Sequence, residues 1–359
     1  MPTRNRKSSS PKSPPSNPLA VLHAHYARAD LAGLRMQIFV RPFPAHSAKA
    51  KQAFLSSFEE LGHDVCASAD GPVDMHADAV LLVANPGWFP RALRDLAPRN
   101  GGRRPFVAVW QAEPLPLPPD APFPRARLSP KELAVIALHR PGATDPYSNA
   151  ATLRWLARER AIDLLAVSTR SGQAFLTEQG LDAEWVPRGY TPDYGRPLGL
   201  ERDLDVVFLG AADVPRRRRL LRALARRGVQ VASFGSWTDP AYWGESRTVL
   251  LNRTKVLLNL PRHAGLLSGV RMLLGMANGA VIVGEPMYDP APYMPGEHFV
   301  SASLEEMPET IAALLDDTAS REQIADRAHR FVTEELTLEG SVERLSTLIE
   351  SRLARATTP

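Results

Sequence analysis

The chain of 359 residues holds a single cysteine, Cys66. No intramolecular disulfide can form, so a disulfide-stapled scaffold is excluded and a reducing compartment fits. In the passage Gly62-His63-Asp64-Val65-Cys66 that thiol reads as strand or core filling rather than a nucleophile. Lysine is almost as scarce, occurring only at 7, 12, 49, 51, 131 and 255, so nearly all positive charge is arginine. The formal net charge of +4 is small for the length. No aromatics interleave with the basic run Arg216-Arg217-Arg218-Arg219, so no nucleic-acid partner is expected. No apolar run approaches the roughly 20 residues that span a bilayer. The N-terminal MPTRNRKSSSPKSPPSNPL lacks the apolar core of a signal peptide, and residues 1–17 read as a disordered tail. Together these absences predict a cytoplasmic protein. HExxH, CxxC, GxxxxGK[ST] and GxSxG are missing too, so no metal centre, P-loop or serine-hydrolase elbow is expected.

What remains is ordinary globular composition, 44% hydrophobic and 23% charged, in a chain long enough for about two domains. The runs Met36–Val40, Ala79–Ala84, Phe106–Trp110 and Leu164–Ser168 are short and continuously apolar, as in parallel strands covered on both faces. Helical spacing marks 47–61, with Ser47 as cap, 131–137, 150–160 and 169–180, and glycine follows two of these at Gly62 and Gly180. A Pro/Gly-rich linker over 191–202 separates a second α/β unit. That unit restarts at the strand Asp205–Gly210, followed by a helix opening at Pro215 with Asp213 as its cap. A strand over 229–234 ends at Gly235.

The most informative stretch runs from Arg247 to Val300. The strand Val256–Leu260 leads through a loop to a helix, Val270–Ala277, stopped by Asn278-Gly279. The next strand, Ala280–Val283, ends at Gly284-Glu285. Polar residues gather where each strand ends. In parallel α/β sheets ligands bind outside those carboxyl ends, near helix N-termini, which suit phosphate. A phosphate-bearing ligand is expected there, and a nucleotide-sugar suits it.

This segment resembles the C-terminal domain of GT-B glycosyltransferases of the group-1 type, including the spore-maturation-like proteins. The residues that carry the likeness are Lys255–Asn259, Arg271, Asn278-Gly279, Val283-Gly284-Glu285, the stretch Pro295–Val300, and Leu314–Asp317 leading into Arg321 and Ala325. The resemblance implies α/β architecture with two Rossmann-like domains facing a cleft: an acceptor domain over 18–195, a nucleotide-sugar domain over 203–340, and a C-terminal helix, 341–359, returning to the first domain. It also implies a metal-independent glycosyltransferase of hexosyltransferase type in glycan biosynthesis. No cofactor is implied beyond the nucleotide-sugar substrate, and the acceptor is unidentified.

Donor-binding candidates are Gly210 and Gly235 at strand ends, where a phosphate could approach the backbone. Arg216, Lys255 and Arg271 are candidate cations, and Asn259 and Glu285 candidate sugar or ribose ligands. Candidate catalytic bases are His46 on the first loop and Glu113 just past Trp110. Each has a plainer reading: turn glycine, solvated arginine face, helix-cap acid, caps or ion pairs. The arginine run with Arg222, Arg226 and Arg227 could also touch an anionic membrane surface. The chain departs from the paired glutamates of many retaining relatives: Leu266 and Leu274 stand at that spacing, and Ser268-Gly269 precede Arg271. This keeps open a degenerate nucleotide- or glycan-binding module, or another donor-using enzyme such as an epimerase.

Overall fold

Continuous apolar runs require sheet surfaces buried on both faces, and the computed structural model has two such sheets. It describes residues 33–40, 48–97, 104–124, 130, 133–134, 146–235 and 239–357. The expected tail, the loop bearing His46, the cap Ser47 and most of the expected helix over 131–137 lie outside these residues.

The first domain runs β1 (Arg35–Phe39), α1 (Ala48–Glu60), β2 (Asp64–Ser68), β3 (Ala79–Val83), α2 (Pro90–Leu96), β4 (Phe106–Gln111), α3 (Pro146–Arg158), β5 (Leu164–Val167), α4 (Arg170–Glu178) and β6 (Glu184–Trp185). Its parallel sheet has the order β2-β1-β3-β4-β5-β6. Alternation sends Ala79, Leu81 and Val83 of β3 to one core and Val80 and Leu82 to the other. Thr169 caps α4, its Oγ1 accepting from the Gly172 N–H at 3.1 Å. Cys66 lies on a strand, β2, one of the two placements expected for it. It is exposed, because β2 is the edge strand of the sheet.

The second domain runs β7 (Leu204–Leu209), α5 (Pro215–Arg226), β8 (Ala232–Phe234), α6 (Gly244–Asn252), β9 (Thr254–Asn259), α7 (Gly269–Ala277), β10 (Val281–Gly284), β11 (Val300–Ser301), α8 (Met307–Asp316) and α9 (Thr318–Arg330). Its parallel order is β11-β10-β9-β7-β8. β8 is shorter than the expected 229–234 because it is an edge strand with little to bury. Pro215 opens α5 as expected, but Asp213 does not cap it. Val214 holds that position without a side-chain hydrogen bond.

The last helix, α10 (Leu338–Thr357), begins three residues before the expected start. Thr337 Oγ1 accepts from the Gly340 N–H at 3.1 Å, the contact of an N-cap. Its Val342, Leu345, Leu348 and Ile349 are buried in the first domain's core beside Phe58 and Trp110. Both sheets share one winding pattern, in which the first strand lies between the second and third. The chain therefore reverses direction across the sheet beside β1 and β7, opening a crevice at their carboxyl ends. The segments after β4, β5 and β6 of the first sheet face the second domain.

Candidate active site between the two domains

The loops leaving the carboxyl ends of β4, β5 and β6 meet those leaving β9 and β10. They enclose a cavity of about 170 Å3. Glu113, Ser168 and Arg188 line it from the first domain; Arg217, Arg262, His263, Ser268 and Tyr293 line it from the second. A neighbouring space of about 140 Å3 shares Arg217, Arg262 and Ser268 and continues between Leu209, Gly235, Tyr242, Trp243 and Leu274. The first turn of α7, from Gly269, opens onto the larger cavity.

Arg271 is the centre of the cationic wall. It projects from α7, is only 8% exposed, and is held at three points. Its Nε donates to the Leu209 carbonyl at 3.1 Å, and its Nη1 donates to Asn259 Oδ1 at 2.9 Å and to Ser268 Oγ at 3.3 Å. Arg217, from α5, is also buried, and its Nε donates to the Leu260 carbonyl at 2.9 Å. Both guanidinium groups lie against the Phe208 ring, at 5.1 and 5.5 Å. Burial, then the charges of Arg217 and Arg262, pulls the Arg271 guanidinium down to about 9. Burial, then Arg262 and Arg216, pulls Arg217 down to about 10, with Asp213 opposing. Like charges crowded out of water favour an arriving anion that restores balance.

The sequence-derived candidates divide accordingly. Arg271, Asn259, Gly210 and Gly235 come together around this wall. Asn259 is buried and orients Arg271 rather than facing the cavity. Gly210, at φ 135°, lends space rather than its amide. Its N–H donates to the Phe234 carbonyl at 2.8 Å, and a Cβ there would lie 3.1 Å from Arg271 Nη2. Arg216 and Glu285 come together with each other instead, in a two-point ion pair at 2.8 and 2.6 Å that braces α5 against the loop after β10. The arginine facing the cavity is its neighbour, Arg217.

Lys255 is a correction. It is the second residue of β9, at the amino end of the strand, and its Nζ pairs with Asp205 at 2.6 Å. The cavity lies beyond Asn259, roughly 15–20 Å along the strand at 3.3 Å per residue. Leu266 and Leu274, at the spacing of the absent glutamates, are buried and line the two spaces.

Glu113 does line the cavity. Burial raises its pKa above the usual carboxylate value, with Arg188 pulling the other way. Arg188 and Arg262 escaped the sequence reading. Arg188 sits in the Trp185–Tyr190 stretch after β6, and its charged form is favoured. Burial opposes that charge, but Tyr194 and Glu113 outweigh it. The signal was an arginine beside a strand end within an apolar passage. Arg262 follows Leu260-Pro261 at the end of β9 and offered the same clue.

This architecture is that of the GT-B glycosyltransferases, and likeness to solved structures defines the fold. HepE of Anabaena, solved in complex with UDP-glucose, aligns with a TM-score of 0.56 at 11% identity, over 89% of this chain and 100% of its own. WaaG, a glycosyltransferase involved in lipopolysaccharide biosynthesis, aligns at 0.50 with 14% identity over 88% and 99%. TarM of S. aureus aligns at 0.53 with 11% identity over 76% of this chain, which spans 54% of TarM. No curated protein sequence matches the chain. Residues 216–347, within the second domain and α10, match the family model described as glycosyl transferase-like.

Proposed function

We propose that the protein transfers a sugar from a nucleoside-diphosphate sugar to a hydroxyl-bearing acceptor. One observation carries this reading: three guanidinium groups, of Arg217, Arg262 and Arg271, gather beside the N-terminus of α7 at the crevice between the two domains. That wall suits a diphosphate, and the adjoining space lined by Tyr242, Trp243 and Leu274 suits the nucleoside. HepE having been solved with UDP-glucose supports the donor class.

In the reaction the bond from the anomeric carbon to the diphosphate oxygen breaks, and a bond to the acceptor oxygen forms. Negative charge grows on the departing diphosphate, where the arginine wall is preorganised to receive it. Glu113, across the cavity, accepts the hydrogen bond of the acceptor hydroxyl and takes up its proton when ionised. Arg188 beside it limits the penalty that burial places on that charge. The expected setting is the cytoplasm, on the reducing chemistry that a lone exposed thiol tolerates.

Calorimetric titration of UDP, GDP and dTDP against wild type and Arg271→Met tests the donor site. One diphosphate should bind saturably, and the variant should bind it at least about tenfold more weakly. Absence of binding by all three, or equal affinity in the variant, would overturn the reading. The leucines at 266 and 274 favour the second reading, a binding module without turnover. Saturable binding with neither donor hydrolysis nor transfer would select it.

A further inference from the structure

A second cavity opens beside the first and has different chemistry. Its volume is about 200 Å3, and it shares His263 and Leu266 with the reaction cavity. The rest of its wall is mostly apolar side chains: proline rings from the passage Pro116–Pro124 and from Pro146, with Phe123, Tyr147 and Phe175. It lacks the arginines of the donor side, so it does not suit phosphate. Its walls come from both domains. Gly265, at φ 77° in the second domain, sits so close to the first that a Cβ there would lie 2.6 Å from the Phe123 ring and 2.7 Å from Leu117. A glycine at 265 therefore lets the proline-rich passage approach the second domain beside this cavity.

Resting on the transferase reading, we propose that this cavity seats a compact apolar group of the acceptor, an aryl ring, and so holds the acceptor's hydroxyl towards Glu113. Size selects the occupant: an apolar cavity of roughly 150 Å3 accommodates a benzene ring. Shape agrees, because flat proline and aromatic faces stack on a flat ring. Position agrees as well, because the cavity continues into the space that Glu113 lines.

The test uses the full chain and a matched pair of probes, phenyl β-D-glucoside and methyl β-D-glucoside, titrated by calorimetry with and without UDP. The phenyl compound should bind at least about tenfold more tightly, the increment expected for burying a ring. Ala264→Phe, which fills the cavity from its second-domain side, should abolish that preference. The same variant should leave UDP binding unchanged, which also shows that it folds. Equal affinity for the two glucosides, or a preference that survives Ala264→Phe, overturns the proposal. So does absence of binding by either. Failure of the parent reading is separately visible, because UDP titration of wild type reports the arginine wall alone.

Discussion

At the residue scale, two of the three cations that the sequence singles out, Lys255 and Arg271, have opposite fates. Lys255 and Asp205 form a surface pair with side chains 28% and 60% exposed, where screening leaves at most about 1 kcal/mol. Lys255→Ala should therefore leave diphosphate affinity within about twofold of wild type by calorimetry, and a loss like that of Arg271→Met would refute its placement. Glu113 yields a prediction in pH. Its raised pKa means that the folded state holds this proton more tightly than the unfolded state. Stability therefore falls as pH rises from the ordinary carboxylate value of 4.5 through the raised one. Glu113→Gln should remove that slope. In urea unfolding the variant should gain on wild type at neutral pH and lose the advantage near pH 4, while sugar transfer falls. A variant equally destabilised at both pH values would show that Glu113 is simply part of the packing.

At the element scale, α10 ties the chain's end to its beginning. Beyond its apolar face, Ser346 Oγ lies 2.6 Å from His63 Nε2 and donates to Glu350 Oε1 at 2.9 Å. The Leu34 N–H donates to His63 Nδ1, so the ring's proton sits on Nε2 and points at Ser346. Leu345 is fully buried against the first domain. Leu345→Ala should cost about 2–5 kcal/mol, read as a lower urea midpoint at unchanged m-value. A change under about 0.5 kcal/mol would mean that the helix does not hold this position in solution. Most elements were legible in sequence. Ala79–Val83, Phe106–Gln111 and Gly269–Ala277 lie within a residue or two of expectation, because their apolar runs and glycine stops are local signals. The sequence reading assigned no helix at α2, α6, α8 or α9, and at element ends β8 is short and the Asp213 cap is absent, since neighbours rather than propensity decide there.

At the scale of the whole molecule, the two domains divide the work. The arginine wall belongs to the second domain, Glu113 and Arg188 to the first, and Gly265 lets the two approach. Gly265→Ala would force Phe123 away and place a side chain at a positive φ. In small-angle scattering the radius of gyration should rise. Diphosphate affinity should change by less than about threefold, because one domain builds that site, while transfer falls at least about tenfold through lost alignment. Unchanged scattering with unchanged transfer would show that the domain contact at Gly265 does not set the cleft.

Sequence alone determined the two parallel α/β units, their linker and the strand ends where polar residues gather. Burial on both faces writes itself into continuous apolar runs, and turns need glycine and proline locally. It also supplied Arg271, Asn259 and Glu113 as candidates. Only tertiary structure decided which arginine of the run 216–219 faces the cleft. Helix phase turns Arg217 inward and lets Glu285 neutralise Arg216. It likewise placed Lys255 at the far end of its strand and brought Arg188 to Glu113 across 75 residues of chain. Such pairings arise from how sheets face one another, which no local pattern of residues encodes.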